Sequence, residues 1–281
     1  MSDKIRQAEI DTIRIEAEDV ELEAMPTLQV SYSSILGTRK SQQDSMGERF
    51  VGGRGIAVVC DGMGGLKGGA TASKTAVDQI LLDYHNNQPI PNIPKFLEDE
   101  ARKADNAVFS LNDERGGPLD AGTTMVAVII DDGKLYWLSV GDSKIYIVRN
   151  HEIVTVNRLH NYRLTMDKML KGGAMTVQEY QAQEKKAEAL ISYLGMGNVS
   201  LMDINREPFI LQDQDVIVLA SDGLYRCLND QDILRSIQDN MGDVMHTADA
   251  LTALATRKAS RGQDNTSVIL IRYNKNWQEE E

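Results

Sequence analysis

Cysteine is nearly missing from this chain: Cys60 and Cys227 are the two among 281 residues. Neither has a partner at metal-ligand spacing, which excludes a disulfide framework and argues against a zinc site, so both are expected to be free buried thiols. Histidine is scarce as well. His85, His151, His160 and His246 are scattered, and each reads as a surface or internally satisfied residue instead of a ligand. Positive charge falls short of negative, 30 Lys and Arg against 42 Asp and Glu, for a net charge of −12. A general nucleic-acid binder needs a basic face, so that class is excluded, although one or two local cations could still hold a phosphorylated partner. No apolar run approaches the roughly 20 residues that span a bilayer, and the opening MSDKIRQAEID lacks the apolar core of a signal peptide. No membrane partner and cytoplasmic residence are therefore expected.

What the chain does have is an ordinary apolar fraction, 42%, and length enough for one large domain with a sizeable core. Residues 1–27 read as an acidic extension with two competing patterns. Ile10, Ile13, Ala17, Val20 and Ala24 fit a helical stripe, whereas Val20, Leu22 and Ala24 alternate as a strand would. A solvated, partly disordered segment is expected there. The folded domain is expected over 28–275, followed by a polar tail at 276–281.

Within that domain, alternation and β-branched runs predict strands over 28–34, 55–60, 123–130, 135–140, 144–148, 153–156, 215–220 and 266–273. Asp131-Asp132-Gly133, Gly141-Asp142-Ser143 and Arg149-Asn150-His151 read as hairpin turns. Helical periodicity predicts paired helices over 69–84 and 93–111, separated by prolines, and a second pair over 230–239 and 244–260. Such runs of strands with helices in pairs indicate an α+β layered architecture. The polar stretch 158–192, with Gly172-Gly173, reads as two short helices inserted between strands.

Five aspartates stand at strand edges: Asp44 in TRKSQQDS, Asp61 in VVCDGMGG, Asp142 in VGDSK, Asp222 in LASDGL and Asp264 in RGQDNTSV. Clustered carboxylates repel and drift toward protonation unless cations neutralise them. Oxygen ligands without cysteine or histidine select hard ions such as Mg²⁺ or Mn²⁺. The glycines after Asp61 and Asp222 allow close backbone approach, so the Gly62 carbonyl could join such a site. Two ions a few ångströms apart would bridge a water, lower its pKa and aim it at phosphorus. Arg39 is the nearest candidate for gripping the phosphoryl oxygens.

These motifs, in this order, resemble the metal-dependent serine/threonine protein phosphatases, the type-2C or PPM family, and its bacterial single-domain members most of all. GTRKSQQDS, VVCDGMGG, Gly122-Thr123-Thr124, SVGDSKIY, VLASDGLY and RGQDNTSV carry the likeness, which spans about residues 28–273. The resemblance implies a four-layer α-β-β-α sandwich, two packed antiparallel sheets flanked by helix pairs, with 158–192 as a flap. It implies that Asp61, Asp222 and Asp264, with the Gly62 carbonyl, bind two Mn²⁺ or Mg²⁺ ions, and that Asp44 binds metal directly or through water. Arg39 matches the phosphate-binding arginine, and Asp142 with Asp222 match the acids of a third, weaker ion. The implied reaction is hydrolysis of phosphoserine and phosphothreonine in proteins by a metal-bridging water or hydroxide, without a phosphoenzyme. A phosphoprotein partner, an opposing serine/threonine kinase and a monomeric chain are expected with it.

Some positions depart from the family pattern. Met63 stands where eukaryotic members carry a candidate general-acid histidine, Leu66 and Ala70 replace a histidine and a glutamate common in bacterial members, and Gln42 replaces an asparagine. None of these removes an expected ligand. A non-catalytic, phosphatase-like binding protein and a small-molecule phosphomonoesterase are the alternative readings, and the complete aspartate set favours the enzyme over the first.

Overall fold

The computed structural model describes residues 27–65, 68–260 and 262–275. The expectations for the N-terminal extension, apart from residue 27, for Leu66 and for the tail at 276–281 lie outside the described residues. The chain opens with strands β1 (Thr27–Ile35), β2 (Asp44–Val51) and β3 (Arg54–Met63), then helices α1 (Gly68–Asn86) and α2 (Ile93–Phe109). Strands β4 (Gly122–Thr123), β5 (Met125–Asp131), β6 (Lys134–Val140), β7 (Lys144–Arg149) and β8 (Glu152–Thr155) follow. The insertion contributes α3 (Tyr162–Lys171) and α4 (Val177–Gln183). Strands β9 (Asp203–Ile204), β10 (Phe209–Ile210) and β11 (Val216–Ala220) lead to α5 (Asp222–Tyr225), α6 (Asp230–Asp239) and α7 (Val244–Lys258), and β12 (Thr266–Asn274) closes the fold.

Two antiparallel sheets result. One runs β1-β12-β11-β7-β8; the other runs β10-β6-β5-β3-β2, with β4 added to β3 and β9 to β6. The period of two in side-chain direction decides the layers. On β3, Ile56, Val58 and Cys60 face α1 and α2, while Ala57 and Val59 face the opposite sheet. On β11, Val216, Val218 and Ala220 face α6 and α7, while Ile217 and Leu219 join the layer between the sheets. Strands buried on both faces read as continuous apolar runs, which is why they were legible. The α-β-β-α sandwich expected from the resemblance is the observed one. Helix ends are fixed locally: Asn229 accepts the Asp232 N–H at 2.9 Å and Asp232 returns the bond to the Asn229 N–H, a capping box that starts α6.

Two local expectations need correction. Strand β2 was not anticipated, because DSMGERFV is an edge strand with much of its length exposed and lacks a clean alternation. Gly141-Asp142-Ser143 is not a hairpin: β6 and β7 belong to different sheets, and the chain crosses from one to the other there. The other two turns are hairpins, with Asp132 and Gly133 at φ 53° and 75°, and Asn150 and His151 at 49° and 65°. Among the described residues no helix is long and apolar enough to cross a membrane.

Candidate active site

At one end of the sandwich the strand termini open into a cleft of about 690 Å³, and Arg39, Asp61, Gly62, Asp142, Asp222 and Asp264 all line it. Each reaches it by a different route. Strand β3 extends past Cys60 to Met63, so Asp61 sits within the strand and not in a free turn. Its N–H donates to Thr124 Oγ1 at 3.0 Å, and its carbonyl accepts from the Thr124 N–H at 2.8 Å and the Thr123 hydroxyl at 2.9 Å. Thr124 Oγ1 in turn lies 2.7 Å from Ser143 Oγ, which ties Asp61 to the sheet crossing that carries Asp142. Asp222 begins α5 where β11 ends, and Asp264 precedes β12. Asp44 is the exception. It is buried behind the cleft wall, opposite Asp61 in the β2–β3 ladder, and its Oδ2 accepts the Ser221 hydroxyl at 2.8 Å from the other sheet.

The glycines after the two strand-end acids are required by crowding. A Cβ on Gly62 would lie 2.1 Å from the Gly69 carbonyl oxygen, and one on Gly223 2.1 Å from that of Asn265. Both clashes are with backbone, so neither can be relieved by turning a side chain.

The electrostatics are those of acids crowded together away from water. Burial, then the neighbouring Asp44, Asp222, Asp142 and Asp264, hold the Asp61 carboxyl well above the ordinary range. Burial pushes Asp44 up to about 6, against the Ser221 and Ser267 hydroxyls, which favour its anion. Asp142 is also raised to about 6, by burial first and by Asp222 next. Two arginines answer this charge: Arg39 pairs with Asp264, and Arg226 Nη2 lies 2.8 Å from Asp222 Oδ2. Among the described residues no three Asp, Glu, His or Cys side chains converge closely enough to grip one ion. Yet Asp44 Oδ1 and Asp222 Oδ1 are buried without any hydrogen-bond partner. An orphaned buried carboxylate oxygen carries a desolvation penalty that a hard cation would relieve. The donor set fits such ions.

The protein phosphatase 2C family model matches residues 34–257, four fifths of the chain. The chain belongs to this family. It is a serine/threonine protein phosphatase, and its curated relatives include the serine/threonine phosphatase stp of Listeria monocytogenes, 24% identical over 219 residues, 77% of this chain and 83% of that one. Among solved structures it is similar to the serine/threonine phosphatase of S. agalactiae, with TM-score 0.73, 24% identity, and coverage of 87% and 98%. The catalytic domain of PstP, a serine/threonine protein phosphatase of Mycobacterium tuberculosis, was solved in complex with 2 manganese ions. It matches with TM-score 0.70 and 22% identity, over 89% of this chain and 99% of that one.

Sequence reasoning missed several residues that shape the phosphatase's cleft. Glu188 and Leu190 reach its rim from the insertion. Gln43 donates its N–H to Asn265 Oδ1 at 2.8 Å, joining the loops that carry Asp44 and Asp264. His160 was read as an ordinary satisfied or surface residue. It is wholly buried, accepts the Gly141 N–H on Nδ1 at 3.2 Å and donates its backbone N–H to the Gly141 carbonyl at 2.8 Å, bracing the turn that holds Asp142. Burial lowers its imidazole to about 4, so it is neutral there at pH 7. Arg226 is the other omission. A cation four residues after an acid looks like an ordinary surface pair, and nothing in the local pattern marked it as a cleft residue.

Proposed function

We propose that this phosphatase hydrolyses phosphoserine and phosphothreonine in proteins with two Mn²⁺ or Mg²⁺ ions bound at the cleft. Asp61, Asp222, Asp264 and the Gly62 carbonyl would hold them, with Asp44 behind. The observation that carries the reading is the pair of buried, unpartnered oxygens, Asp44 Oδ1 and Asp222 Oδ1, in a set of acids that mutual repulsion drives toward protonation. Ions bound there supply positive charge and a water of lowered pKa suited to in-line attack on phosphorus.

The chain's own residues do the rest. Arg39 is exposed at the rim and offers planar donors to two phosphoryl oxygens at once. Ser221 fixes the Asp44 carboxylate by donating to Oδ2, and Thr124 fixes the strand at Asp61. Met63 lines the cleft and has no proton to give, so protonation of the leaving alkoxide falls to solvent. Glu188 and Leu190 of the insertion line the cleft, which supports a role in meeting the polypeptide that flanks the phosphorylated residue. The segment 158–192 therefore acts as a flap that selects protein substrates, opposed in the cell by a serine/threonine kinase. The protein works as a soluble cytoplasmic monomer.

Phosphate release from phosphoserine, phosphothreonine and phosphotyrosine peptides tests this. EDTA should abolish turnover and Mn²⁺ or Mg²⁺ should restore it. Asp61→Asn should lower the rate by about 10²–10³-fold, the usual cost of losing one charge-stabilising group. Arg39→Ala should raise KM, because it removes a contact already present with bound substrate. Full activity in protein shown by elemental analysis to be metal-free would end the reading.

A further inference from the structure

Arg226 follows Asp222 by four residues, just past α5, and its guanidinium lines the same cleft wall as Asp142 and Asp222. It is paired directly with Asp222. Its charge also favours the ionised form of Asp142 as well as that of Asp222, working against the burial that raises both carboxyls. A second cation stands behind: Lys144 Nζ lies 4.3 Å from the centre of the Tyr225 ring, and the Tyr225 hydroxyl donates to the Asp142 carbonyl at 2.9 Å. The resemblance gives Asp142 and Asp222 to a third, weaker ion. Here a guanidinium tethered to the same backbone already answers them.

We infer that Arg226 takes the place of that third ion, so that the phosphatase binds two divalent ions and its third positive charge is built into the chain. The inference rests on the two-ion reading above. A tethered guanidinium pays no translational cost on meeting Asp222, whereas a weakly held ion must be drawn from solution. An ion arriving between Asp142 and Asp222 would also meet a like charge within a few ångströms, in a partly buried site where such repulsion is poorly screened. By contrast, Arg39 pairs with Asp264 from the exposed rim, and the Asp264 side chain is 23% exposed against 10% for Asp222, so water can more readily take that guanidinium's place.

The test is stoichiometry, not rate. Full-length protein is titrated with Mn²⁺ by calorimetry and checked by equilibrium dialysis with elemental analysis, up to high millimolar metal. Wild type should saturate at two ions. Arg226→Asp and Arg226→Asn should each gain a third, weaker site, and Arg226→Lys should remain at two. Arg226 is half-exposed, and a melting curve for each variant establishes that it is folded. A third ion in wild type, with affinity unchanged by Arg226→Asp, would overturn the inference and leave the two-ion reading standing. Saturation at two ions in both Arg226→Asp and Arg226→Asn would overturn it as well, because the guanidinium would then not be what excludes the third. Fewer than two ions in wild type would overturn the parent reading and this one with it.

Discussion

The layer between the two sheets and the insertion at 158–192 are held together in opposite ways. Between the sheets, Ala57, Val59, Val126, Val128, Ile145, Ile217, Leu219 and Ile269 form a continuous apolar layer. In the insertion, Met166, Met175 and Ala187 are the buried core. Tyr162, Met169 and Tyr180 pack half-buried against it, and polar links add to these: Arg163 to Glu184 and Glu188, each at 2.8 Å, and the Tyr180 hydroxyl to Asp167. Exposed ion pairs stabilise by about 0–1 kcal/mol each, whereas each large side chain buried in the middle layer is worth roughly 1.5–3 kcal/mol. Thus the acids stand on a scaffold held by a continuous buried layer, and the rim residues Glu188 and Leu190 stand on a part held by a much smaller one. On the function proposed above, chemistry and partner choice would fall on regions of unequal stability.

The sharpest way to break this contrast is to cut matching holes in both regions. Leu219→Ala should destabilise the whole protein by about 2–5 kcal/mol, seen as a fall in the denaturation midpoint. Met166→Ala should leave that midpoint nearly unchanged and instead speed proteolytic nicking within 158–192. An equal fall in midpoint for both would make the insertion part of one cooperative unit.

A smaller effect is expected from replacing 168–184 with a short Gly/Ser linker. Once circular dichroism and a melting curve show the variant folded, hydrolysis of a small aryl phosphate should stay within about twofold. Activity on phosphoproteins should fall by about tenfold, as for lids that act on substrate access and not on chemistry. Equal losses on the two substrates would show that the segment supports the acids themselves.

The smallest effect is one of pH. Asp44 and Asp142 hold their protons up to about pH 6 when folded, against ~3.9 for an unperturbed aspartate. Between those values the folded chain binds more protons than the unfolded one. The stability these groups contribute therefore falls as pH rises through the window and stays lower above it. In the presence of a chelator, the melting temperature of wild type relative to Asp44→Asn should be higher at about pH 4.5 than at pH 7. A difference that does not vary with pH would show that Asp44 is ionised throughout.

The layers were legible because strands buried on both faces have no polar alternation to hide them, as in Ile56 to Cys60 on β3 and Val216 to Ala220 on β11. Asp61, Asp142 and Asp222 were legible because an acid beside glycine at the end of an apolar run is conspicuous, and Asp264 because its motif precedes the final strand in the family's order. β2 was not, since an edge strand with Gly47 and Arg49 carries no such contrast. Nor was the crossing at Asp142, because Gly-Asp-Ser satisfies the same local turn preferences whether the next strand pairs with the last one or joins another sheet. Arg226 and His160 needed the third dimension: what matters about each is the group it meets, Asp222 across one helical turn and Gly141 from 19 residues away.

The hydrogen bond from Ser221 to Asp44 joins the end of β11 in one sheet to the start of β2 in the other, so the acids are divided between the two halves of the sandwich. Asp44 and Asp61 ride on one slab, Asp222 and Asp264 on the other. The cleft is consequently a gauge of the spacing between slabs. A volume change at Val128 or Ile271, in the layer between the sheets, would move one pair relative to the other as a jaw moves in a vice. A displacement near 1 Å in a reacting geometry can cost about 10²-fold in rate, so such a substitution would cost turnover in the protein that remains folded, beyond the stability that any change in this layer costs.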